Sequence, residues 1–330
     1  MAKNQIEIME AIGGYFSLEL PIIKEDWIHK NGIHLNSGRN ALEYILRSIS
    51  DIKCLWIPYY TCDVVLEPLK KLNISYSFYS VNKSLEFADD IELAANEYIL
   101  VTNYFGIKDA YISELSTRYG EHLIIDNAQA FYAMPPDGVK TVYSPRKFVG
   151  VPDGGIAYME NGLDINDFEQ DISYNRCSHL LKRLDIGAEA GYADFRENSQ
   201  LMKNRAIKRM SNLTWNMLHS IDFESVKRQR NENFKRLHEK LSDVNQLHIP
   251  DMDTFACPMV YPFFSFDLSL KKRLIENKIF VATYWSNVME WCKPTDIEYQ
   301  LANQIIALPI DHRYGIEEMD YIIKMIKGNE

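Results

Sequence analysis

The chain has 330 residues, 46% of them hydrophobic, and carries 36 lysines and arginines against 46 aspartates and glutamates, a net charge of −10. That balance argues against a nucleic-acid surface, which needs clustered Lys and Arg to displace counterions. No apolar run approaches the roughly 18 residues of a membrane span, and residues 1–7 have neither a basic n-region nor an apolar h-region, so a cytoplasmic protein is expected. In chain order, a helix-period segment at 40–49 with Leu42, Ile45, Leu46 and Ile49 on one face precedes a strand-length apolar run at 54–57. A helical segment at 63–72, runs at 74–79 and 98–104, a helical segment at 110–119 and runs at 122–126, 139–143 and 155–159 follow. Strands alternating with helices mean an α/β fold with a mostly parallel sheet covered on both faces. Beyond about residue 165 the pattern changes to helical stretches at 166–184, 201–221 and 223–241 with charged faces. A strand at 260–268, a helix at 269–277, a strand at 279–283 and an amphipathic helix at 316–326 then read as a small α+β unit. Single cores tend to split beyond roughly 250 residues, so two domains are expected, 1–215 and 216–330.

The most informative local feature is Lys147, in Ser144-Pro145-Arg146-Lys147-Phe148-Val149-Gly150, about twenty residues after the aspartate that ends Leu123-Ile124-Ile125-Asp126. Pyridoxal phosphate (PLP) chemistry requires that pairing: a lysine to form a Schiff base, and a carboxylate to hold the pyridine nitrogen protonated as an electron sink. In a parallel sheet, ligands bind beyond the carboxyl ends of the strands, where Asp126 falls. Gln129, in Asn127-Ala128-Gln129-Ala130, has two readings: contact with the cofactor's phenolic oxygen or phosphate, or satisfaction of loop backbone. Ser37-Gly38-Arg39-Asn40 opens the first strong helix and reads either as an N-terminal phosphate site or as an ordinary cap. The Ser144 hydroxyl is a further phosphate donor if the segment turns tightly, and Arg146 either joins it or is solvated. Gly154-Gly155 opens the next strand, where glycine permits close backbone approach or a bulge. No G-x-G-x-x-G or G-x-x-x-x-G-K-S/T fingerprint occurs. Aromatic residues gather near these motifs, among them Tyr59, Tyr60, Tyr104, Phe105, Tyr284 and Trp285, as candidates for stacking on cofactor or sugar. Cys54, Cys62, Cys177, Cys257 and Cys292 form no C-x-x-C pair and read as reduced, mostly buried thiols; neither they nor the eight histidines have metal-ligand spacing.

Taken together, Ser37-Gly38-x-x-Ala41-Leu42, Ile57-Pro58-Tyr59-Tyr60-Thr61, Asn103-Tyr104-Phe105-Gly106, Ile125-Asp126-Asn127-Ala128-Gln129-Ala130, Lys147 and Asp153-Gly154-Gly155 resemble the DegT-type sugar aminotransferase family. The resemblance extends to Arg228-Gln229-Arg230-Asn231-Glu232-Asn233, similar to the family's interface helix, and to Ile306-Ala307-Leu308-Pro309-Ile310-Asp311-His312. It implies a fold-type-I PLP-transferase, a homodimer with active sites at the subunit interface, acting on a nucleotide-linked keto sugar with glutamate as donor, in surface polysaccharide biosynthesis or a related pathway. By position, Lys147 matches the lysine that holds the cofactor and Asp126 its pyridinium partner. Gln129 matches the cofactor-contacting glutamine, and Gly38, Arg39 and Asn40 the phosphate loop. Ser144 is a further cofactor contact, and Tyr60, Tyr104, Tyr284 and Trp285 are candidate substrate contacts. Three positions depart from the family pattern. Cys62 stands where a stacking aromatic is common, Val142 replaces a serine five residues before the lysine, and Ile207 falls where a cross-subunit asparagine is expected.

Two rival readings follow from the same residues. One is another PLP reaction on a sugar, dehydration or aldol cleavage, although the family's dehydratases carry histidine where this chain has Lys147. The other is a non-catalytic binding protein of this fold, suggested by the rearranged phosphate cup and Cys62 and opposed by the retained Lys147 and Asp126.

Overall fold

The computed structural model describes residues 14–23 and 27–328; residues 1–7, read above for a targeting signal, lie outside them. The first half comprises β1 (Ile33–Leu35), α1 (Gly38–Ser48), β2 (Cys54–Pro58), α2 (Leu66–Leu72), β3 (Ser75–Tyr79), β4 (Glu97–Thr102), α3 (Asp109–Tyr119), β5 (Leu123–Asp126), β6 (Lys140–Tyr143) and β7 (Gly155–Tyr158). The remainder comprises α4 (Ser178–Asp185), α5 (Ala188–Leu201), α6 (Asn212–His219), α7 (Phe223–Leu241), β8 (Tyr261–Phe264), α8 (Leu270–Glu276), α9 (Val288–Trp291), α10 (Ile297–Gln304), β9 (Ile305–Leu308) and α11 (Ile316–Lys327).

Strands β1 to β7 form one sheet in the order β1-β7-β6-β5-β4-β2-β3. Strands β2 to β6 run parallel, β7 is antiparallel to β6, and β1 is antiparallel to β7. Both faces are covered, which is why β5 reads as an uninterrupted apolar run. Ile124 joins Leu42, Ile45, Leu55 and Leu100 beneath α1. Leu123 and Ile125 join the opposite cluster with Ile112 and Leu115 of α3, and that cluster continues into Phe234 and Leu237 of α7 and Tyr261, Phe263 and Leu308 of the β8-β9 pair. The long α7 is held by its buried stripe, Phe223, Val226, Arg230, Asn233, Phe234, Leu237 and Leu241, at helical spacing, and starts on Asp222, whose side chain accepts from the Ser225 N–H.

The expected elements of the first half and α7 are present, whereas the middle and C-terminal segments differ in detail. The helix expected over 166–184 is confined to Ser178–Asp185; before it, Asp171 and Arg176 are drawn into a buried ion-pair cluster that holds the chain in turns. Over 201–221 only Asn212–His219 is helical, started by Ser211, whose side chain accepts from the Thr214 N–H. The preceding α5 escaped the sequence pattern because only Gly191 and Asn198 on it are buried. At 279–283 a single bridge, Ala282 to Ala307, replaces the expected strand. The expected division at residue 215 falls inside α6. All five cysteines are free, but only Cys177 and Cys257 are buried, so the expectation of mostly buried thiols fails for Cys54, Cys62 and Cys292. Among the described residues no helix is long and apolar enough to cross a membrane.

Candidate active site

The carboxyl ends of β4, β5 and β6 meet in register. Thr102 pairs with Asp126, and Asp126 with Val142. Backbone bonds continue past the strands, from the Asn103 N–H to the Asp126 carbonyl (3.0 Å) and from the Asn127 N–H to the Val142 carbonyl (2.9 Å). Asp126 is thereby fixed at the sheet's edge, its Oδ1 accepting the Ala128 N–H at 2.9 Å. Burial raises the carboxyl's pKa above its ordinary value, opposed by the nearby Lys147 ammonium and by the Ala128 N–H. A second cation against Asp126 would lower its pKa further toward the ordinary value.

After β6 the chain makes one tight turn, Pro145–Lys147, which ends on the lysine. Its ammonium lies within electrostatic reach of both Asp126 and Cys62. Cys62 belongs to the loop after β2, and burial raises its thiol pKa. The same turn places Ser144 against the start of α1: a Cβ on Gly38 would sit 3.3 Å from Ser144 Cβ and 3.6 Å from its Oγ. Ser37 caps α1 by accepting the Asn40 N–H, so the positive end of the helix faces the turn that holds Lys147. That closeness depends on Gly155, where a Cβ would meet the Ser37 carbonyl carbon and oxygen at 2.1 Å.

Arg39 and Asn40 direct their side chains elsewhere. Arg39 Nη1 donates to Glu67 Oε2 (2.9 Å) and the Met202 carbonyl (3.0 Å). Asn40 Nδ2 donates to Asn36 Oδ1 (2.7 Å) and the Ala206 carbonyl (2.9 Å). Both fasten α1 to its neighbours. Gln129 satisfies loop backbone, its Oε1 accepting the Phe105 N–H at 2.8 Å, while its Nε2 is buried without a partner. An orphaned donor of this kind costs free energy unless a ligand acceptor meets it. Thr102, which the sequence reading passed over, likewise has a buried, unpartnered hydroxyl; a polar residue ending an apolar parallel strand was the available signal.

The aromatic candidates are brought together, but in unequal positions. Tyr60 and Tyr104 are fully enclosed and stack at 5.2 Å, and the Tyr104 hydroxyl donates to the Tyr60 carbonyl. They form a floor beneath the site rather than an open contact surface. Trp285 packs edge-on to Tyr60, centroids 5.2 Å apart. Tyr284, within electrostatic reach of Cys62 and Arg230, has its hydroxyl pKa pushed up to about 12 by burial. Val142 and Ile207, two of the departures, are buried in the apolar layer under α1.

Two arginine clusters hold the frame. Arg176 Nη2 donates to Asp153 (2.9 Å) and Asp171 (2.7 Å), all three buried. Arg230 is also buried, with its guanidinium 4.8 Å from the Phe148 ring centre. It donates to the carbonyls of Phe148 (3.2 Å) and Met259 (2.9 Å), joining the lysine loop to the segment before β8.

The leftover groups fit PLP. An aspartate at a strand end suits the ring nitrogen, an unpartnered glutamine N–H a ring oxygen, a lysine the aldehyde, and a helix N-terminus with serine the phosphate.

No family model and no curated protein matches the sequence. Among solved structures, a DegT DnrJ EryC1 StrS aminotransferase from Brucella abortus superposes with a TM-score of 0.59 at 17% identity, covering 90% of this chain and 85% of that one. DesV from S. venezuelae, solved with a ketimine intermediate, gives 0.64 at 15% identity over 90% and 84%. NtdA from Bacillus subtilis, solved with PMP, gives 0.62 at 13% over 89% and 72%. The chain thus has the fold of the DegT/DnrJ/EryC1/StrS sugar aminotransferases.

Proposed function

We propose that this protein is a PLP-dependent aminotransferase that moves an amino group from an amino-acid donor, glutamate, to a keto sugar carried on a nucleotide. The observation that carries the reading is the Lys147 ammonium within electrostatic reach of Asp126 at a strand end, with a buried, unpartnered glutamine N–H three residues on at Gln129. Bound PLP supplies an electron sink that stabilises negative charge at the substrate carbon. Lys147 would hold the cofactor's aldehyde and, when its amine is free, would move the proton at the substrate carbon. Asp126 would carry the charge that keeps the ring nitrogen protonated. Gln129 Nε2 would donate to the ring oxygen, and Ser144 with the start of α1 would hold the phosphate. Cys62 stands where the family pattern has a stacking aromatic. Several features support this reading: the solved sugar aminotransferases of the same fold, the leftover hydrogen-bond groups, and the retained lysine and aspartate. A homodimer with sites at its interface belongs to the same proposal.

The test is the absorption spectrum of the protein supplied with PLP, before and after L-glutamate, with Lys147→Ala alongside. A visible band that requires Lys147 and bleaches with glutamate is expected. A band that persists with every amino-acid donor would turn the reading toward another PLP reaction, and no Lys147-dependent band would sink it in favour of a binding protein.

A further inference from the structure

Beside the lysine loop lies a cavity of about 580 Å³, walled by residues 146–151, parts of α4 and α5, Arg230 and residues 311–313. Five cationic side chains line it, Arg146, Lys147, Arg183, Arg230 and Arg313, against one carboxylate, Asp311. Arg230 donates to two backbone carbonyls while its Nε is buried without a partner, and Arg313 forks onto Asp311 at 2.6 and 2.9 Å. Arg183 is exposed and, among the described residues, its one hydrogen bond is to the Tyr314 hydroxyl, at 3.4 Å.

Arg146 is different. It is half-buried, and among the described residues no hydrogen bond or ion pair engages its guanidinium. Its electrostatic neighbours are Arg39 and Arg176, both repulsive, and Asp153, which is already engaged by Arg176. Burial lowers its pKa, the mark of a cation without adequate compensation. Two other residues lining the cavity, His179 and His312, each have a buried Nδ1 without a partner. A desolvated cation persists at such cost only where something of opposite charge completes it.

We propose that this cavity binds an oxyanion group of a ligand, a diphosphate or a carboxylate, with Arg146 at its centre and Arg183 at its mouth. The inference rests on the aminotransferase reading only for the anion's source: the diphosphate belongs to the nucleotide-linked acceptor, the carboxylate to the amino-acid donor. The cofactor's own phosphate is provided for separately, by Ser144 and the start of α1.

The test is calorimetric titration of the PLP-supplied protein with pyrophosphate and, separately, with glutarate, for wild type, Arg146→Gln, Arg146→Lys and Arg183→Gln. One of the two anions is expected to bind, with affinity weakened about tenfold or more in Arg146→Gln and partly recovered in Arg146→Lys. Arg183→Gln, at an exposed position, is expected to weaken binding while keeping the fold. Pyrophosphate binding assigns the site to the acceptor, glutarate binding to the donor. Binding of neither anion, affinity unchanged in Arg146→Gln and Arg183→Gln, or an anion expelled by PLP would each overturn the proposal. The Lys147-dependent visible band reports separately on the aminotransferase reading, so an absent band with an intact anion site would sink that reading alone.

Discussion

Gly155 is the position where adding one carbon should do the most damage. A Cβ there would lie 2.1 Å from the carbonyl carbon and oxygen of Ser37 and 2.5 Å from the Gly38 nitrogen, whereas carbon contacts are comfortable only at about 3.5–4.0 Å. All three atoms are backbone, so no side chain can swing aside. Gly155 is itself held in register opposite Leu35 of β1. Relief therefore requires β7 and the start of α1 to part by more than about 1 Å. Overpacking of that kind costs roughly 3 kcal/mol, which for a chain of this size lowers the melting temperature by roughly 4 °C. Moving α1 also moves Gly38 away from Ser144, so the affinity for PLP should fall about tenfold. Thermal melts by circular dichroism and a PLP titration measure both. Gly150→Ala is the control, because its added Cβ meets nothing nearer than the Leu180 methyl at 3.5 Å and should leave melting within about 1 °C. A Gly155→Ala protein that melts with wild type and binds PLP equally well would refute the close approach of β7 to α1.

Asp126→Asn removes a buried charge but keeps an acceptor for the Ala128 N–H. The cofactor-free protein should then melt at or slightly above the wild-type temperature while glutamate bleaching slows about 100-fold; unimpaired bleaching would remove Asp126 from its proposed role. Arg176→Met strands Asp153 and Asp171 without their shared cation, and Arg205, 4.0 Å from Asp171, offsets only part of the loss. Urea unfolding should show a loss of about 3–5 kcal/mol, and a loss under about 1 kcal/mol would mean the cluster contributes little. Burial lowers the His29 pKa to about 4, only partly opposed by the Phe131 carbonyl. The unfolded chain, titrating near 6.5, binds more protons across that window, so stability falls as pH drops from about 6.5 toward 4, by roughly 2 kcal/mol at pH 5 for this ring. Urea midpoints at pH 7 and pH 5 for wild type and His29→Gln test it, and an identical pH loss in both proteins would count against it.

The strands of the sheet were legible because burial on both faces writes long apolar runs such as Leu123-Ile124-Ile125. Strands β1 and β9 were not: β1 has only three residues, and β9 follows α10 directly with no turn residue between them. Periodicity overcalled the helix before Ser178, because Arg176 serves a buried ion pair there instead of a solvated helical face. At the site, spacing along the chain singled out Lys147, Asp126 and Gln129, which the structure places at or just beyond the ends of β5 and β6. It did not indicate where side chains turn. Arg39 and Asn40 sit at the right place on α1 yet spend their polar groups on Glu67, Met202, Asn36 and Ala206. Tyr60 and Tyr104 looked like ligand contacts only because adjacency in sequence does not reveal enclosure. The cationic cavity draws on residues 146, 183, 230 and 313, too far apart in the chain for any local motif to join them.

Arg230 bonds the carbonyl of the residue after Lys147 with one arm and the carbonyl of Met259 with the other. These two segments are therefore geared together: displacing the C-terminal segment relative to the sheet must either drag the lysine's backbone with it or open one of those two bonds. Whatever settles against the C-terminal segment thus has mechanical purchase on the reactive amine without touching it.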